Sequence, residues 1–370
     1  MSRATEGHRV CLGVMGAVAV LLAAAAPGAL AGMPMALPCC APAEPPADLT
    51  GLSLDQLYNL DIVQPNILGG HTHPAGQTMF GYDYMHTRES GIYQGAHTIS
   101  PQQAFAEGFA TVHIGMNMDM HMFDVMNAPT EWLTLMAMIP YKHMTMQHET
   151  SAGTFFTQHD EGFGDLQLMG LWTIFGDIRK GGNRLVLNTG ISVPTGAIDE
   201  RDHKEGDPNK PLAELEYPMQ LGSGTWDLMP GLTYLGDWGK WSWGAQTIET
   251  LRTGRNYHHY RLGNEYDASA WGSYEVAEWF APSVRLEFSR FNDIHGADPA
   301  LAANPTPEAR TYLRAGQRLD LLFGLNFYVP GGWLKGLRVT AQGGLPVFQN
   351  LKGPQLGTAW TVGGGLTYAF

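Results

Sequence analysis

The segment VHIGMNMDMHMFDVM, residues 112–126, concentrates more metal-binding side chains than any other stretch of this 370-residue chain. It sets Met116, Met118, Met120 and Met122 on one parity and Asn117, Asp119, His121 and Phe123 on the other. Thioethers and imidazoles are ligands for soft ions of the Cu(I) kind. His113, His143 and His148 lie close in sequence, and His71 and His73 form a second pair upstream. After a short turn, Trp132–Gln147 repeats the period-two pattern. Leu133, Leu135, Ala137, Ile139 and Tyr141 alternate there with Thr134, Met136, Met138 and Lys142. The two segments read as a β-hairpin with one greasy and one wet face. A carboxylate and an imidazole are expensive against hydrocarbon, so Asp119 and His121 should mark the wet face. The expected wet patch is Asn117, Asp119, His121, Met136, Met138 and Lys142, extended by Asp165 and Gln167 from the next segment. Met116–Met122 then become flexible apolar filler on the other side. Such a patch suits passage of a small solute, with hydrophobic and aromatic compounds in range. The alternative is a copper-type ion held by His113, His121, Met136 and Met138; no other cofactor is expected.

Those side chains need strands to aim them, and period-two alternation gives about twelve. They span 77–86, 111–126, 132–147, 163–175, 184–193, 225–235, 241–251, 266–280, 283–292, 318–329, 337–345 and 357–370. In the fourth, Leu166, Leu168, Trp172 and Ile174 share a parity. In the sixth, Trp226, Leu228, Leu232 and Tyr234 do, and Pro230, lacking an amide donor, predicts a bulge or kink. In the tenth, Leu319 through Val329 oppose Arg318, Asp320 and Asn326. Long polar loops (87–110, 148–162, 194–224, 252–265, 293–317) alternate with short turns such as 127–131 and 236–240. Tight turns on one rim and long loops on the other are the layout of an outer-membrane barrel. The predicted fold is therefore all-β: a transmembrane antiparallel up-and-down barrel over 77–370, with both ends of the chain in the periplasm.

The two ends of the sequence agree. Arg3 and Arg9 precede an apolar run, Val10–Ala26, followed by Ala29-Leu30-Ala31, the pattern of a secretory signal removed after residue 31. Residues 32–76 read as a periplasmic extension, with a short helix or plug expected at Asp48–Leu60, where Leu52, Leu54, Leu57 and Leu60 form a stripe. The last residues, TVGGGLTYAF, put Val362, Leu366, Tyr368 and Phe370 on one face. Leu366, Tyr368 and Phe370 resemble the C-terminal signature that bacterial outer-membrane proteins present to the barrel assembly machinery.

Composition narrows the function classes. Charged residues are 15% of the chain, well below the ~25% of soluble domains. A net charge of −13 disfavours nucleic acid as a partner and leaves outer-membrane lipid and lipopolysaccharide as the surroundings. Of three cysteines, Cys11 leaves with the signal and Cys39-Cys40 are adjacent, which excludes a disulfide-stapled fold. A lipid hydrolase would need a nucleophile held by a base. His97 and Ser100 sit in a loop, but no G-x-S-x-G occurs, so no catalysis is expected.

Four blocks carry a family resemblance: LTLMAMIPY (Leu133–Tyr141), GFGDLQLMGLW (Gly162–Trp172), RLDLLFGLNF (Arg318–Phe327) and LPVFQNLKGPQL (Leu345–Leu356). They resemble the barrel family named for members encoded with the phenol meta-cleavage (MetA-type) degradation pathway. The resemblance implies an outer-membrane transporter. It brings no agreed binding residues to carry over.

Overall fold

The structure, a computed structural model, describes residues 67–178 and 181–370. The expected signal sequence, the Asp48–Leu60 helix and the Cys39-Cys40 pair lie outside the described residues. In chain order the strands are β1 (Thr78–Gly95), β2 (His97–Ile99), β3 (Thr111–Thr130), β4 (Leu133–Thr150), β5 (Phe155–Phe163) and β6 (Leu166–Phe175). Next come β7 (Arg184–Val193), β8 (Arg201–His203), β9 (Leu212–Glu214), β10 (Asp227–Trp238), β11 (Trp241–Arg252) and β12 (Tyr260–Arg261). The last are β13 (Glu265–Tyr274), β14 (Phe280–Phe291), β15 (His295–Gly296), β16 (Gly316–Tyr328) and β17 (Leu337–Ala369).

Thirteen of these make one antiparallel sheet, and β17 pairs with β1 to close it. Eleven strands form the ring; β2 and β5 lie off it. The last strand contributes two passes. Its 33 residues are extended throughout, yet Thr340 Oγ1 donates to Gly365 O at 3.4 Å and Gln349 Nε2 to Thr358 O at 2.9 Å. A straight strand would hold Thr340 and Gly365 roughly 80 Å apart. The chain therefore doubles back around Lys352–Pro354, the first half pairing with β16 and the second with β1. The seam is closed at its end by Thr78 and Phe370, which exchange N–H···O bonds of 2.9 Å in both directions.

Alternation decides which side of each strand is which. On β16, Phe323, Leu325 and Phe327 are exposed while Asp320, Leu322 and Asn326 are buried. Trp226, Leu228 and Leu232 beside and on β10, and Leu168 and Ile174 on β6, likewise point out. Outward apolar positions from Leu319 to Phe327 cover about 20–25 Å of barrel height, the thickness of an outer-membrane hydrocarbon layer. A girdle of Trp132, Trp172, Trp238, Trp241 and Trp279 marks the short-turn rim.

Local details differ from expectation in three places. Pro230 causes no bulge: its pairing with β7 runs unbroken, and pairing with β11 lapses only at Met229 and Pro230 before resuming in register. The β13–β14 turn lies before Phe280, so Ala281 and Pro282 belong to β14. The loops also carry structure of their own, including a short helix α1 (Pro101–Ala106) capped by Ser100 and two-stranded β8–β9 and β12–β15 ribbons.

Candidate functional site: a methionine wall inside the barrel

Register fixes the interior of the β1–β3–β4–β6 wall. Phe123 and Val125 are 47% and 37% exposed, so the odd residues of β3 look outward. The even ones face in. Across the β3–β4 ladder Met116 opposes Met146, Met118 opposes Met144, Met120 opposes Lys142, and Met126 opposes Met136. On the other side Met79 opposes Met126 and Met85 opposes Met120. Met136 opposes Met169 on β6. All fourteen methionines from Met79 to Met229 stand on the inner wall or, for Met219, on a loop folded against it.

The expectation that Met116–Met122 face lipid is thus corrected, and with it the placing of Asn117, Asp119 and His121 in the lumen. Those three point outward. Their polar groups escape the cost of hydrocarbon because neighbours on β1 satisfy them. Tyr84 Oη donates to Asp119 Oδ1 at 2.5 Å, His86 Nδ1 lies 2.8 Å from the same oxygen, and Tyr82 Oη meets His121 Nδ1 at 2.8 Å. Arg88 donates to Asn117 Oδ1 at 3.0 Å. Trp360 packs on the His86 ring. The cluster sits at the long-loop end of the apolar band, above Tyr82 and Phe123.

Met136, Met138, Lys142 and Gln167 do face inward, Met138 opposite Gln167. Asp165 sits at the β5–β6 break, where its carboxylate accepts the Gly196 and Ser223 amides at 2.9 and 2.8 Å. His113 comes nowhere near His121 or Met136. Its imidazole is buried at the long-loop end against His148, Glu216 and Glu308.

Two segments close on the methionine wall from opposite ends. From the short-turn end, residues 67–73 run inside the ring. Gln246 Nε2 donates to Leu68 O at 3.0 Å, and His73 N donates to Thr134 Oγ1 at 3.1 Å. Leu68 packs on the cluster Met79, Met126, Met136, Met169, Leu171 and Met229. Gly69 has φ +62°, and a Cβ there would stand 2.8 Å from both Leu171 Cδ2 and Met169 Sδ, so only glycine fits this approach. His71 is buried in the same segment with no hydrogen bond to either ring nitrogen. From the other end, Leu215, Met219 and Leu221 of the loop before β10 pack on Met116, Met144 and Met146. Lys142 Nζ donates to Leu221 O at 2.9 Å and tethers that loop. Met85, Met118, Met120, Met122 and Met138 lie on the inner wall between these two segments.

The opposite wall is charged. Arg252 bridges Asp227 at 2.5 Å and Glu265 at 3.0 Å, Arg285 pairs with Glu287 at 3.0 Å, and Arg318 with Asp320 at 2.6 Å. The lumen is therefore two-sided, thioether on one flank and ion-paired on the other. In the sequence the inward methionines looked like lipid filler, because the partners that satisfy Asp119 and His121 come from β1.

A closed antiparallel barrel with an apolar outer belt and a two-sided interior is an outer-membrane β-barrel. The chain belongs to the family described as "Putative MetA-pathway of phenol degradation", whose sequence profile matches residues 88–346. Among solved structures it resembles an outer-membrane channel from Pseudomonas putida F1, with TM-score 0.58 and 15% identity over 83% of this chain and 100% of that one. Looser likenesses include a Pseudomonas aeruginosa FadL homologue (TM-score 0.37, 9% identity, 79% and 89% coverage). The Pseudomonas putida toluene transporter TodX is similar at TM-score 0.37 and 9% identity, with 80% and 90% coverage. No curated protein sequence matches the chain.

Proposed function

We propose that this barrel is a channel that passes a small, polarisable solute along its methionine wall, with aromatic compounds bearing one polar group as the preferred class. The observation that carries the reading is the inward orientation of all thirteen strand methionines among the described residues. Water-filled pores are lined by polar side chains. A thioether flank offers instead a deformable apolar surface, and sulfur–aromatic contacts contribute ~0.3–1.5 kcal/mol each. The ion-paired flank then serves a hydroxyl or carboxylate on the same solute. The family's description, with its reference to phenol degradation, supports the same class. In this reading the short-turn rim and both chain ends face the periplasm, residues 67–73 form a gate, and the Tyr84–His86–Asp119 cluster meets lipopolysaccharide headgroups.

Liposome influx tests it. Relative to protein-free vesicles, the barrel should speed phenol influx more than that of a sugar of similar size, and replacing Met118, Met120 and Met122 by Gln should reduce that preference by about fivefold or more, from three sulfur–aromatic contacts of ~0.3–1.5 kcal/mol each. Equal rates for both solutes, or a preference untouched by the triple variant, would contradict the reading.

A second reading has its own support: His71, buried with hydrogen-bond-free ring nitrogens, shares the lumen with the thioethers, a donor set for Cu(I). Ag(I) titration of the folded barrel would favour it if binding is stoichiometric and falls in His71→Ala. Absence of Ag(I) binding would remove it.

A further inference from the structure

The long-loop end of the barrel holds a cluster that the lumen does not use. His113 on β3 and His148 on β4 sit directly opposite one another in the ladder. Their rings meet edge to face at 4.4 Å. Glu216, from the loop before β10, brings Oε2 to 3.9 Å from His113 Nε2. One ligand atom from each of His113, His148 and Glu216 lies within 4.8 Å of the others. Glu308, from the loop before β16, places Oε2 at 3.3 Å from His113 Nδ1, on the far side of the ring.

All four residues are at most 4% exposed, and the ring nitrogens of both histidines and Oε2 of both glutamates make no hydrogen bond. Burying so many polar atoms without partners is a large cost for a fold to carry uncompensated. The other atoms of the cluster are positioned. Glu216 Oε1 accepts Asn304 Nδ2 at 2.9 Å and Thr306 Oγ1 at 3.3 Å, which leaves Oε2 aimed at the histidines. Phe156 stacks flat on His148 at 4.4 Å and fixes its plane.

We propose that His113, His148 and Glu216 bind a divalent metal ion of the zinc class, with Glu308 as the positioning carboxylate behind His113. Two imidazoles and a carboxylate suit a borderline ion at ~2.0–2.2 Å per bond, and three protein ligands leave a fourth position for water. A carboxylate on the second ring nitrogen of a ligating histidine fixes its tautomer and raises its basicity. Because β3, β4 and two separate loops meet at this point, the ion staples the loops across the outer mouth. The site is independent of the solute reading: its donors are nitrogen and oxygen, whereas the lumen wall is sulfur.

The test uses the whole barrel folded in detergent, stripped with chelator, then titrated with Zn(II) and separately with Co(II). The expected result is about one tightly held equivalent of Zn(II) and Co(II) visible bands typical of low coordination number. Glu216→Gln combined with His148→Phe should abolish retention, while Glu308→Gln should weaken it by about 10–100-fold. Heat-modifiable migration on gels reports whether each variant is folded. Should the double variant fail to fold, the Co(II) spectrum of the unaltered barrel decides alone: nitrogen- and oxygen-ligated bands support the site and an aqua-ion spectrum overturns it. Wild-type barrel that retains no Zn(II) after dialysis, or a folded double variant that retains as much, also overturns it.

Discussion

Loosening residues 67–73 should open the barrel by an amount that follows from the contacts holding them. Gln246 Nε2 to Leu68 O is a hydrogen bond of 3.0 Å, worth ~0.5–1.5 kcal/mol net. Leu68 packs on the Met79–Met126–Met169 cluster but is only partly buried, so truncating it costs about half of a fully buried side chain, ~0.75–1.5 kcal/mol. Leu68→Ala with Gln246→Ala thus removes ~1.3–3 kcal/mol from the closed arrangement. At ~1.4 kcal/mol per factor of ten, the closed-to-open ratio should fall about 8- to 140-fold. Planar-bilayer recording reads this directly as more time in the higher-conductance level. Gly69→Val supplies an independent handle, because a left-handed φ costs a non-glycine residue ~1–2 kcal/mol and its Cβ meets Leu171 and Met169. If the folded double variant and Gly69→Val both keep the parent conductance and open fraction, residues 67–73 do not gate the lumen.

Three further outcomes are expected. Arg252→Met strands Asp227, which is fully buried, and should cost ~3–5 kcal/mol in urea unfolding from lipid vesicles, with Asp227→Asn restoring much of it; a loss under 1 kcal/mol would contradict the buried pair. Gly244→Ala drives a Cβ into the Trp271 ring, which lies 2.2 Å from that position, and should cost ~1–3 kcal/mol with a changed near-UV signal; an unaltered signal would mean that the ring does not lie over Gly244. In the loops, burial and the Asp298 carboxylate raise Glu214 to about 7 from the ordinary 4.5. A raised carboxyl favours the protonated fold, so its contribution is complete below about 4.5 and fades as pH climbs through about 7. Hydrogen exchange in loop 195–223 should therefore quicken from pH 5 to 8, once corrected for intrinsic rates. Glu214→Gln should flatten that rise, and an identical rise in the variant would refute the assignment.

Much of the fold was legible because alternation is a strong signal where one face meets lipid. Leu319–Phe327 on β16 and Trp226–Tyr234 around β10 point as their parity predicts. The failure at β3 has a physical cause. Orientation there was inferred from the cost of burying Asp119 and His121 in hydrocarbon, but cross-strand bonds from Tyr82, Tyr84 and His86 remove most of that cost. Such bonds depend on register and on height above the membrane, neither of which a single strand's pattern carries. Residues 346–356 fall between the last two expected strands, whereas the sheet continues through them and their hairpin. His113 opposite His148 was not legible: strands flanking a 127–131 turn set His113 opposite Thr145, and the observed pair arises because the hairpin closes at Thr130–Leu133 and its register shifts twice along the ladder. Glu216 and Glu308 were not legible either, since long loops bring them in from far along the chain.

The orientation of β3 can be measured directly. Nitroxide labels on Met118→Cys, Met120→Cys, Phe123→Cys and Val125→Cys, in barrels reconstituted into lipid, report which side each position faces through collision with membrane-dissolved oxygen. The labels at 123 and 125 should collide freely with oxygen while those at 118 and 120 are shielded from lipid. High oxygen accessibility at 118 and 120, with 123 and 125 shielded, would turn the methionines out into the bilayer and remove the wall on which the channel reading stands.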